Sequence, residues 1–148
     1  MPEAKLTWKD GLAFEVEVGG HRFFIDHDPE GGPGRGPAPM ALWLVSLAGC
    51  TGMDVVYILR RKRLQIDGFE VHIAGTRRQG KHPRIYETVD IRFTIRGPEI
   101  PEKAVLQAMK LSRDTYCSVS AMTAGPTIRH LYRIEDPDGN VVAEGELE

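Results

Sequence analysis

The chain predicts an α+β fold, with antiparallel sheets around one long buried helix. Three observations carry that expectation. Apolar and polar residues alternate between Lys5 and Asp26 and again between Phe69 and Ile95, the period-two signature of strands. Between these regions, Pro39 to Arg63 reads PMALWLVSLAGCTGMDVVYILRRKR, the longest apolar run in the sequence. Within its 148 residues there is no internal repeat, low-complexity tract or dividing linker, so a single domain over 1–148 is expected.

The N-terminal third reads as a β-meander. Lys5 to Lys9 (KLTWK) is a first strand, and Asp10-Gly11 is a hairpin signal of the kind that needs positive φ. Leu12 to Val18 (LAFEVEV) alternates strictly, Gly19-Gly20 makes a second tight turn, and His21 to Asp26 (HRFFID) is a third strand.

From Asp28 the composition changes to DPEGGPGRGPAP. Its glycines suggest a phosphate loop, but the Lys-Ser/Thr of that motif is missing and the spacing fits no dinucleotide fingerprint. It reads as an extended loop feeding the helix. Arg35 is the residue in it with chemical reach, toward the Cys50 region or toward water.

Helix is predicted from Met40 to Arg63 because no proline interrupts that span, while Pro37 and Pro39 stand just ahead of it, where a missing N–H does no harm. Ala41, Leu42, Leu44, Val45, Leu47 and Ala48 leave no polar stripe, which marks a helix buried on nearly all sides. Beyond Cys50, Val55, Val56, Ile58 and Leu59 alternate with Asp54, Tyr57 and Arg60, so the second half is amphipathic. Arg60, Arg61, Lys62 and Arg63 fall where the helix dipole favours cations. A small sheet covers only one side of such a helix, and the other side calls for a partner, most economically a second copy in a homodimer.

Phe69 to Thr76 and Tyr86 to Ile95 then alternate as two long strands, with Val89, Ile91, Phe93 and Ile95 on one face and the polar link RRQGKHPR as their turn. Pro101 opens a helix running to about Thr115, with an apolar side from Ala104, Leu106, Ala108, Met109 and Leu111. Ser118 to Thr123 is a short helix capped by Ser118. Thr127 to Ile134 and Val141 to Glu144 are the last strands, separated by a turn at Asp138-Gly139 or Gly139-Asn140.

Bulk properties exclude several classes. A formal charge of -2 and a pI near 6.2 give no global reason to expect nucleic acid binding. The basic cluster after Leu59 reads as a solvated helix end rather than a phosphate patch. The apolar run approaches the roughly 20 residues of a membrane span. Asp54 lies inside it, however, and a mid-membrane carboxylate costs at least about 2.5 kcal/mol, so no membrane association is expected. The start, MPEAKLTWKD, has no signal-peptide pattern, and a cytoplasmic location with reduced cysteines is expected.

The chemistry rests on two cysteines, Cys50 in the apolar helix and Cys117 after the second helix. A buried cysteine is ordinarily an inert small hydrophobe, and apolar burial raises a thiol's pKa. A working thiolate therefore needs a cation such as Arg35 or Arg22. Metal binding is not expected, because the cysteines lack close ligand spacing and His21, His27, His72, His82 and His130 are scattered. No nucleophile turn points to a Cys-His-acid hydrolase, and no cofactor is expected.

At these residues the chain resembles the OsmC/Ohr superfamily. GPAPMALWLVSLAGCTGMDVVYIL is similar to that family's first-cysteine helix, and KLSRDTYCSVSAMT to its second signature, a cysteine after a helix followed by Ser-Val-Ser. The resemblance implies an intertwined homodimer around paired central helices, with sites at the interface. It also implies a thiol peroxidase acting on organic hydroperoxides in the oxidative stress response. Cys50 would be the peroxidatic cysteine and Cys117 the resolving one, and a dithiol, often lipoyl-type, would be the reductant. Active members carry a glutamate nine or ten positions before the first cysteine, which holds an arginine over the thiolate. Here those positions are Ala41 and Met40, so another anchor, Asp54 or Asp28, is needed. The alternative is a non-peroxidase dimer of the same fold that acts as a thiol sensor or small-ligand binder.

Overall fold

A computed structural model describes all residues from Met1 to Glu148. The chain forms two compact units, Met1–Trp43 and Leu44–Glu148, and the boundary falls inside the long helix.

The first unit is a three-stranded antiparallel sheet of β1 (Ala4–Asp10), β2 (Ala13–Val18) and β3 (His21–Ile25), followed by a loop and the start of helix α1. Gly19 and Gly20 take φ of 57° and 79°, which a tight two-residue hairpin requires and a side chain resists. The Gly/Pro loop is organised by acids. Asp28 accepts from the N–H groups of Glu30 and Gly32, and Asp26 from those of His27 and Arg35. A Cβ at Gly36 would lie 1.8 Å from the Phe24 carbonyl oxygen, so the loop passes directly against β3. Amides turned onto carboxylates are not a phosphate cradle, in line with the reading of this stretch as a loop that feeds the helix.

Helix α1 spans Pro39–Arg61, starting one residue earlier than expected and ending two residues earlier, because Arg63 turns left-handed (φ 60°) and ends it. Arg60 and Arg61 occupy the last turn. In the second unit α1 buries Leu47, Ala48, Thr51, Gly52, Val55 and Leu59. A Cβ at Gly52 would stand 3.0 Å from Val71, so that glycine permits close approach to the sheet. Val45, Met53 and Tyr57 are 61%, 73% and 62% exposed, which corrects the expectation of a helix buried on nearly all sides: within one chain, one face stays open.

The second sheet is β4 (Gly68–Arg77), β5 (Tyr86–Arg96), β6 (Thr127–Glu135) and β7 (Val141–Glu146), in that order. Here the all-antiparallel expectation fails. β6 runs parallel to β5, pairing Thr88 with Thr127 through Arg96 with Glu135, because the helical segment between them carries the chain back to the same end. Val89, Ile91, Phe93 and Ile95 are fully buried, as their alternation predicts, together with Val105, Ala108 and Met109 of α2 (Glu102–Leu111). Pro101 caps α2 instead of opening it. The helix also stops short of Thr115. A π-helical turn, Ser112–Tyr116, replaces its last turn, and α3 (Ser118–Ala121) follows. Cys117, not Ser118, caps α3: its sulfur accepts from the Ser120 N–H.

Candidate active site

The site is assembled within the second unit from α1 and from the junction between the π turn and α3. The sulfurs of Cys50 and Cys117 and a carboxylate oxygen of Asp54 all lie within 4.8 Å of one another. Asp54 follows Cys50 by four residues, so helical geometry alone puts its carboxylate on the thiol's face. The Ser112 hydroxyl donates to Asp54 Oδ2 at 2.8 Å and ties the π turn to α1. The amide of Cys117 donates to the Ser112 carbonyl at 2.8 Å, closing a ring one residue wider than an α turn. Ser112 thus holds Asp54 with its side chain and Cys117 with its backbone.

The two thiols sit in different surroundings. Cys50 is half-buried, whereas Cys117 is 3% exposed. Burial pushes the Cys117 thiol above the usual cysteine range. The Ser120 amide beside it pulls the other way, and Cys50 adds a further upward push. The Ser120 N–H reaches the Cys117 sulfur at 3.4 Å, while the Ser120 hydroxyl is buried without a hydrogen-bond partner. Cys50 is therefore the thiol that a solute meets first, and Cys117 is the more deeply buried of the two. Further along the chain, His130 is buried with Nε2 unpartnered. Burial, and then the Arg113 charge, hold its imidazole below the usual histidine range, and Asp114 opposes them.

Arg35 belongs to the first unit. Its guanidinium pairs with Asp10 at 3.3 Å and lies 4.3 Å over the Phe24 ring, while its backbone N–H is held by Asp26. Arg22, the other candidate cation, is committed to Glu15 and Glu17. Neither Asp54 nor Asp28 is the carboxylate that holds Arg35. Asp10 is, from a strand end that no spacing argument singles out. Ser112 was also missed, since a serine between Leu111 and Arg113 carries no sequence signal. The Cys50–Asp54 spacing was visible in the sequence.

A half-exposed thiol on a long helix, faced by a second thiol from the end of another, defines a dithiol protein of α+β architecture. Residues 32–130 match the family model described as OsmC-like protein, and the chain belongs to that family. It is 33% identical over 135 residues to Protein YhfA of Escherichia coli K12, covering 89% of this chain and 97% of the relative. A crystal structure of a hypothetical protein from Aquifex aeolicus VF5 superposes with a TM-score of 0.79 at 32% identity, covering 92% and 97% of the two chains. An organic hydroperoxide resistance protein OsmC from Legionella pneumophila shares the fold, with a TM-score of 0.64 at 14% identity over 90% and 96% of the chains. The fold is thus shared with a protein named for organic hydroperoxide resistance, while the name YhfA carries no activity.

Proposed function

We propose that this protein is a thiol-dependent peroxidase that reduces organic hydroperoxides. The observation that supports it most is the meeting of Cys50 and Cys117, distant in sequence, with their sulfurs within 4.8 Å. The Cys50 thiolate attacks the O–O bond, one oxygen stays on sulfur as sulfenic acid, and the alcohol leaves after protonation. The Cys117 sulfur then attacks the sulfenic sulfur, its thiol proton goes to the departing hydroxide, and water and the disulfide form. Closing an S–S bond of about 2.05 Å asks for less than about 3 Å of approach. A dithiol, lipoyl-type or a small thiol, restores both cysteines by exchange. Arg35 is the cation proposed to favour the Cys50 thiolate.

The working unit is proposed to be a homodimer. An apolar groove of about 450 Å³ runs along the open face of α1, lined by Val45, Gly49, Met53, Val56, Phe69 and Val71, and a second copy suits it. The reducing cytoplasm is the compartment in which such a dithiol stays poised.

One observation favours the second reading, a thiol sensor or small-ligand binder. The side chain that joins the two sulfurs within 4.8 Å is an acid, Asp54, rather than a base. The deciding experiment mixes reduced protein with cumene hydroperoxide and a dithiol and follows peroxide loss. Rapid loss that Cys50→Ser abolishes supports the peroxidase; loss that is absent, or indifferent to the substitution, overturns it.

A further inference from the structure

We propose that the reduced site is a binding site for a thiophilic divalent cation of the zinc class, held by Cys50 Sγ, Cys117 Sγ and the Asp54 carboxylate. The inference uses the same side chains as the peroxidase reading but does not depend on it.

The donor set is the first argument. Two sulfurs and a carboxylate oxygen converge within 4.8 Å, two of them from one helix face and the third from a separate turn. Asp54 takes part in no ion pair; its partner is the neutral Ser112 hydroxyl. With both thiols deprotonated, three negative charges crowd together, and a divalent cation compensates them directly. Tetrahedral zinc takes Zn–S bonds of about 2.3 Å and Zn–O bonds of about 2.0 Å, which separates donor atoms by about 3.3–3.8 Å. The side chains need to close by no more than about 1.5 Å to reach that geometry. Sulfur donors select zinc-like ions over magnesium or calcium.

The surroundings are the second argument. Ser112 holds Asp54 by its hydroxyl, the type of outer bond that orients a ligating carboxylate. Beside the Cys117 sulfur, the Ser120 N–H is already aimed at it at 3.4 Å, and the Ser120 hydroxyl is buried with no partner. A sulfur accepting that N–H is better suited to the anionic form a metal requires. Half-exposed Cys50 leaves the fourth position open to water or a solute. Metal and disulfide exclude each other, since each consumes both sulfurs. A bound cation therefore shields the thiols from oxidation, and oxidation releases the cation.

The test is a titration of reduced, full-length protein with cobalt(II) under anaerobic conditions, followed by displacement with zinc(II). A thiolate-to-cobalt charge-transfer band of two-thiolate intensity is expected, lost on adding zinc, with zinc affinity of micromolar or tighter by chelator competition. Cys117→Ser is expected to halve the band, and Asp54→Asn to weaken zinc at least about tenfold. Asp54→Glu, which keeps the oxygen donor, is expected to retain more affinity than Asp54→Asn and guards against a folding artefact. No charge-transfer band, zinc affinity equal to that of Cys50→Ser, or Asp54→Asn binding as tightly as the parent would each overturn the proposal. Because binding is read without peroxide, a protein inactive as a peroxidase can still pass, and an active one can still fail.

Discussion

The two sheets of this molecule are built to different standards. In the four-stranded sheet, Val89, Ile91, Phe93 and Ile95 are fully buried, and β5 lies between two neighbours. In the three-stranded sheet only Ala13 and Val16 are buried, while Leu6 and Trp8 stand 49% and 63% exposed, and Leu12 in the turn between β1 and β2 stands 53% exposed. One sheet closes its own core, whereas the other carries apolar side chains that a single copy leaves uncovered. The same division runs through the chemistry. Cys50, Asp54 and Cys117 are anchored in the self-sufficient unit. Arg35 sits on the under-packed one, held by an exposed ion pair with Asp10. The thiols stand beside a buried core, whereas the Arg35 guanidinium rests on an exposed carboxylate and the Phe24 ring.

That contrast is open to direct attack. The largest effect is expected at Phe93, where truncation of a fully buried side chain to alanine costs about 3–5 kcal/mol. Urea denaturation measures it, and the same experiment on Trp8→Ala should show at most about 1.5 kcal/mol, the worth of its indole bond to Gly11. Equal losses would mean that the first sheet is packed as well as the second. Next in size is Met53→Asp on the open face of α1. A buried unpaired charge at a dimer interface costs several kcal/mol, so sedimentation velocity should show the variant as monomer and the parent as dimer.

Arg35 sharpens the comparison at the level of rate. Arg35→Ala should slow peroxide consumption at least about tenfold, the equivalent of about 1.4 kcal/mol. Asp10→Ala removes only an exposed partner, worth at most about 1 kcal/mol, and should slow it less. A larger effect at Asp10 would show that the pair, rather than the guanidinium, matters.

The smallest expected effect is a pH slope in the well-packed unit. His130 is held below the usual histidine range, so folding favours its neutral form. Its contribution is complete above the unfolded value of about 6.5 and is lost as pH falls through the lower folded value. Stability measured from pH 7 to pH 5 should decline less steeply in His130→Gln.

Much of this was legible in the sequence because it rests on local periodicity. The alternation at Val89–Ile95 named the core face, and the breaker-free run after Pro39 named the long helix within two residues of its end. Two cysteine signatures pointed to the two thiols that the fold brings together. What stayed hidden depends on contacts that periodicity does not encode. The parallel pairing of β5 with β6 follows from where a crossover lands, and the π turn shows in the wider bond from the Cys117 amide to the Ser112 carbonyl. The Asp10–Arg35 pair joins a strand end to a loop. Asp54 is intermediate. Its spacing from Cys50 is plain to read, but that Cys117 joins the same face only the fold reveals.

The central claim is that Cys50 and Cys117 form one redox couple. Stoichiometric cumene hydroperoxide added to reduced protein, followed by intact mass and peptide mapping under non-reducing conditions, tests it most directly. The expected result is loss of two hydrogens and a Cys50–Cys117 linked peptide, with Cys117→Ser retaining one oxygen as a trappable sulfenic acid. An unchanged mass, or oxygen accumulating on Cys50 of the parent protein without any linked peptide, would contradict it.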